Sequence, residues 1–98
     1  MKIDLIMPKY VRIGAHDIEI AMVDQEEFVD PDQVGEYSAR YNRIKITVDA
    51  VMERQQEVFF HEVVEAWNTC CGLELPHSKI DAIGECLYEF LLFNKVVA

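Results

Sequence analysis

The sequence changes its hydrophobic period near residue 50, and that change decides what the chain can fold into. Before it, Ile18, Ile20 and Met22 alternate with Asp17, Glu19, Ala21 and Val23, and Ile44, Ile46 and Val48 alternate with Arg43, Lys45 and Thr47. A period of two is the pattern of a strand with one buried face. It places Lys45 and Thr47 outward and Val48 in the core. After it, Met52, Phe59, Val63, Ala66 or Trp67, and Cys70 recur at steps of three, four and seven, the stripe of an amphipathic helix.

Punctuation along the chain divides these patterns into elements. Gly14-Ala15-His16 marks a hairpin turn between strands over 10–13 and 17–23. Asp30-Pro31-Asp32 predicts a turn or a one-turn helix within 26–33, followed by a short strand over 35–38 and a turn over 39–42. The strand over 43–48 leads to a helix over about 51–71, with Asp49 as its N-cap and Gly72 at its C′ position. Pro76 separates a second helix over about 78–93, where Ser78 and Asp81 resemble a capping box. Its expected buried face is Ile80, Ile83, Leu87, Phe90 and Leu91. Strands followed by helices predict an α+β domain. A small antiparallel or mixed sheet of three to four strands in the N-terminal half packs against two C-terminal helices.

Bulk properties narrow the function classes. A chain of 98 residues suits one domain, 1–98, with no repeat or linker inside it. Its formal net charge of −9 argues against a nucleic-acid partner, which needs a basic surface. It fits a basic protein partner. Neither a signal peptide over Met1–Tyr10 nor a membrane span is expected, so the expected location is cytoplasmic. Three cysteines without CxxC spacing read as reduced, mostly buried thiols.

The chemistry concentrates in Phe59-Phe60-His61-Glu62-Val63-Val64-Glu65-Ala66-Trp67, an HExxE where a zinc peptidase carries HExxH. His61 and Glu65, four apart, project from one helix face and aim at one point. Glu62 sits where such enzymes keep their general base. On the plainer reading, Arg54, Glu57, His61, Glu65 and Asn68 form a solvated stripe with no function. The functional reading needs a third ligand, because a catalytic zinc takes three protein ligands and a water. His77, at the head of the second helix, completes a His2Glu set. Asp81 and Glu85 are rival third ligands, or acceptors that orient a ligand histidine. Tyr88 extends their face as a candidate donor to an oxyanion or as a surface-packed residue. His16 falls in a turn and reads as surface.

These residues resemble a family of very small bacteriophage and prophage proteins that look like minimal zinc metallopeptidases. The likeness is carried by Val58 to Ala66, by Leu73 to Ile80, and by the closing Gly84 to Asn94, with the strand over 43–48 and Gly35-Glu36-Tyr37 also fitting. It implies a minimal zincin-like fold and Zn2+ held by His61, Glu65 and His77. It also implies a phage-encoded, metallopeptidase-like hydrolase acting in a host cytoplasm on a peptide or protein substrate, with Glu62 activating water. Two other readings stand beside it: an inactive acidic module that sequesters or inhibits a host protein, and a structural zinc protein in which a residue such as Asp81 closes the coordination shell.

Overall fold

The computed structural model describes residues 7–94. The ends of the predicted domain, including Met1–Ile6, lie outside the described residues. Four strands, β1 (Tyr10–Ile13), β2 (His16–Val23), β3 (Gly35–Ser38) and β4 (Arg43–Thr47), precede two helices, α1 (Met52–Cys71) and α2 (His77–Asn94). The strand order is β1-β2-β4-β3, with β2 and β4 parallel and both outer pairs antiparallel. The sheet is therefore mixed, and the α+β arrangement read from the sequence is the one observed.

The period-2 residues build one sheet face. Ile13, Ile18, Ile20, Ile44 and Ile46 are buried against Val58, Val63 and Ala66 of α1 in a single apolar cluster. The β2–β3 crossover passes through a single 3-10 turn, Gln25–Glu27. The crossover is tied down by Gln25 Nε2, which donates to the carbonyls of Pro31 (3.1 Å) and Gln33 (2.6 Å). It delivers β3 to the outer edge beside β4. Thr47 N–H bonds the Val34 carbonyl there, so Val34, Glu36 and Ser38 pair with β4. By the alternation of an antiparallel ladder, the backbone groups of Gly35 and Tyr37 face the open edge.

Several local expectations are corrected. Asp49 does not cap α1; the N-cap is Val51, without a side-chain cap bond. Asp49 Oδ2 instead accepts the Gln25 N–H at 3.2 Å, which spends that carboxylate on the crossover. Thr47, expected outward, is buried, while Val48, expected in the core, is 45% exposed. The strand ends at Thr47, whose Oγ1 accepts the Asp49 N–H and turns the chain out of the sheet. At the other end of α1, Gly72 does adopt the left-handed conformation (φ 62°) that stops the helix, as expected. Met52 and Trp67 are exposed, and Ala66 takes the core position offered to either. Cys70 is half-buried, but Cys71 and Cys86 are exposed rather than buried.

The largest correction concerns α2. It begins at His77, so Ser78 lies inside its first turn and forms no capping box with Asp81. Its buried residues are Ile80, Gly84 and Tyr88, while Ile83 and Phe90 are 41% and 55% exposed. Leu87 and Leu91 are half-buried. The helix is rotated about its axis relative to the hydrophobic reading, because it packs on α1 and presents a small and polar face to that seam. Among the described residues, no helix is long and apolar enough to cross a membrane.

Candidate metal centre

The polar stripe of α1 is not bare to solvent, because α2 lies along it. The Arg54 and Glu57 end remains exposed and carries a loose ion pair at 3.8 Å. One turn further on, His61 and Glu65 are half-buried in the seam, with His61 Nε2 3.8 Å from Glu65 Oε1. His77 closes the triangle from the head of α2, its Nδ1 3.5 Å from the same Glu65 oxygen. One donor atom from each of His61, Glu65 and His77 lies within 4.8 Å of the others. The two imidazoles meet edge to face, with centroids 5.5 Å apart.

Asp81 completes the seam. Its Oδ1 lies 2.9 Å from His61 Nδ1, and its Oδ2 stands 3.5 Å from His77 Nε2. A carboxylate beside Nδ1, with Nε2 turned to Glu65, is the arrangement that orients ligand histidines around metals. Of the two roles open to Asp81, its shortest contact suits the acceptor that orients His61. Glu85 lines the same cleft but joins the cluster by no ion pair or hydrogen bond among the described residues.

Glu62 faces the other way, towards the sheet. It is buried, and the Tyr37 N–H at the open edge of β3 bonds its carboxylate. Burial first, and then the neighbouring Glu65 carboxylate, push its pKa from the ordinary 4.5 up to about 7, against the lowering effect of the Tyr37 bond. Glu36 and Asp81 add smaller upward contributions. Glu62 Oε2 stays 3.9 Å from His61 Nε2, so this carboxyl lies beside the three donor groups and outside their triangle. A cleft of about 430 Å³ opens over the pair, bounded by Gly35 and Val58 on one side and by Asp81 and Glu85 on the other.

The donor set suits zinc. Two imidazoles and one carboxylate make a His2Glu set, and ligand bonds of 2.0–2.2 Å would put neighbouring donors about 3.3 Å apart. The two separations to Glu65, 3.8 and 3.5 Å, already approach that value. The histidine pair needs a closer approach, which rotation of the exposed His77 ring can give.

Two residues marked in the sequence take no part. Tyr88 is buried and donates its hydroxyl to Gln56 Oε1 at 2.9 Å, so it is neither surface-packed nor turned to an oxyanion. His16 opens β2 as an exposed residue. Sequence reasoning also missed three contributors: the Tyr37 N–H, Gly35 and Gly84. A Cβ at Gly35 would collide with Val58 Cγ1 and lie 3.4 Å from Glu62 Oε2, so glycine at that position lets β3 come close to Glu62. A glycine inside a helical pattern was the one available signal for Gly84.

Comparison with protein-family models, curated proteins and solved structures finds no match to this chain.

Proposed function

We propose that this chain is a zinc-dependent hydrolase of the metallopeptidase kind, with His61, Glu65 and His77 holding the metal and Glu62 as the general base. The observation that carries the reading is the meeting of those three donor groups within 4.8 Å of one another, beside a buried carboxyl at the floor of a cleft. Zinc supplies Lewis acidity at such a site, polarising a carbonyl and making water a nucleophile near neutral pH. Asp81 holds His61 in the tautomer that leaves Nε2 free. Glu62, poised near 7 by its burial, takes the proton of the attacking water and returns it to the leaving group. The Tyr37 N–H fixes the carboxylate for that transfer. The cleft is large enough for part of a peptide or protein substrate. A host cytoplasm is the setting we propose for this activity, on the resemblance to phage proteins.

Metal analysis tests the reading. Protein purified without chelator should carry one zinc per chain, and His61→Ala, Glu65→Ala and His77→Ala should each lose it. Glu62→Gln should keep the zinc and lose hydrolysis of a fluorogenic peptide library. A wild-type chain that binds no zinc at micromolar concentration would overturn the proposal.

Two further readings have observations of their own. The net charge of −9 and the carboxylates around the cleft favour an acidic module that sequesters or blocks a basic host protein. Capture of one host protein that is lost at raised salt but kept by His61→Ala would select it over the enzyme. Asp81, within reach of both histidines, favours a structural zinc site. X-ray absorption showing four protein donors and no water on the metal would select that one.

A further inference from the structure

Gly84 stands in the middle of α2, where glycine weakens a helix and almost any other residue would favour it. Its surroundings account for it. A Cβ added there would lie 3.0 Å from His61 Cα and 3.3 Å from His61 N. Both are backbone atoms of α1 and cannot swing aside as the tip of a side chain can. Any side chain at position 84 therefore pushes the helices apart at His61.

The metal centre is divided across that same contact. His61 and Glu65 belong to α1, while His77 and Asp81 belong to α2. Gly84 shares a face of α2 with both of them, three residues beyond Asp81 and seven beyond His77. The contacts that cross the seam are short: Asp81 Oδ1 to His61 Nδ1 at 2.9 Å, and His77 Nδ1 to Glu65 Oε1 at 3.5 Å. A displacement of a few tenths of an ångström lengthens both contacts together and carries His77 and Asp81 away from Glu65 and His61.

We propose that Gly84 is a positioning residue for the metal centre: by letting α2 rest on the backbone of His61, it sets the reach of His77 and Asp81. This rests on the zinc reading given above. Gly84 touches no metal or substrate; it acts through the two α2 side chains it carries into place.

The test is titration of purified full-length chain with Zn2+ against a chromogenic chelator, and with Co2+ by visible absorption. Gly84→Ala should retain its helical circular dichroism and bind zinc roughly 10–100-fold more weakly, the range for loss of an orienting partner. Its cobalt complex should lose the intense bands of a four-coordinate site. Ala82→Gly, exposed on the same helix, and Tyr88→Phe, which removes the bond to Gln56, should lower the melting temperature and leave zinc affinity unchanged. In an Asp81→Asn background, which still binds zinc, Gly84→Ala should lose much of its effect. Wild-type affinity and spectrum in Gly84→Ala would overturn the proposal, as would additive losses in the double variant. Loss of helix in Gly84→Ala would also overturn it, because Gly84 would then serve the fold and not the site. A wild-type chain that binds neither ion would end the zinc reading itself, whereas equal binding by wild type and Gly84→Ala would end only the role of Gly84.

Discussion

The two long faces of α1 are built from opposite materials. Towards the sheet it meets Ile13, Ile18, Ile20, Ile44 and Ile46 in an apolar cluster, interrupted only at the β3 edge by the buried Glu62. Towards α2 it offers His61, Glu65 and Gln56, answered by His77, Asp81, Gly84 and Tyr88. The first face buries apolar surface, the dominant stabilising term in folding. The second seats ionisable groups whose desolvation opposes folding, relieved by hydrogen bonds and, on the reading above, by a cation. Gln56 even leaves its buried Nε2 without a partner. The apolar cluster stabilises the domain, and the ionisable groups of the seam, with Glu62 at the sheet edge, work against it.

That division predicts substitutions with opposite signs. Ile44, fully buried, anchors the sheet face, so Ile44→Ala should lower unfolding free energy by about 2–5 kcal/mol in a urea titration. Zinc affinity of the fraction that stays folded should not change. Glu62→Gln should do the reverse and stabilise the metal-free chain. As pH rises through 4.5 the unfolded chain loses this proton first, and the folded chain keeps it to about 7. Folding is therefore favoured at low pH and weakened across that window, by up to ~3 kcal/mol. Melting curves without metal should show Glu62→Gln above wild type at pH 8, with the gap closing towards pH 4.5. A gap that stays constant with pH would break the comparison.

Smaller effects sharpen it. Asp81→Asn keeps an acceptor near His61 but removes the charge, and zinc affinity should fall about 10-fold by chelator competition. Arg43 bonds Glu19 at 2.7 Å on the outer sheet face, where both side chains are about 40% exposed. Arg43→Gln should cost less than ~1 kcal/mol in the same urea titration and leave the metal centre untouched.

Much of the sheet side was legible because burial there follows the period of two: Ile18, Ile20, Ile44 and Ile46 could be assigned from alternation alone. The strand order was not, since nothing local tells β4 to slip between β2 and β3. The gathering of His61, Glu65 and His77 was legible from helical spacing and one turn. The face of α2 was misread because its hydrophobic stripe, Ile83, Leu87 and Phe90, is not its contact face. Close approach at Gly84 fixed the rotation of that helix, and a missing Cβ leaves no mark in a hydrophobic pattern. Tyr88 was misplaced by the same rotation.

The bond from Tyr37 to Glu62 has a consequence for how copies of this chain behave in a crowded solution. An outer strand with unpaired backbone groups is a template on which a second chain can add a strand. At β3, Glu62 already occupies the Tyr37 N–H and Gln33 Nε2 covers the Gly35 carbonyl at 3.1 Å. Two of the four backbone groups that Gly35 and Tyr37 turn to that edge are thus held by side chains, one of them the carboxylate proposed to move protons. A glutamine at position 62 keeps an acceptor on the edge, whereas an alanine opens it. Glu62 thus bears on strand addition at this edge as well as on the proposed proton transfer.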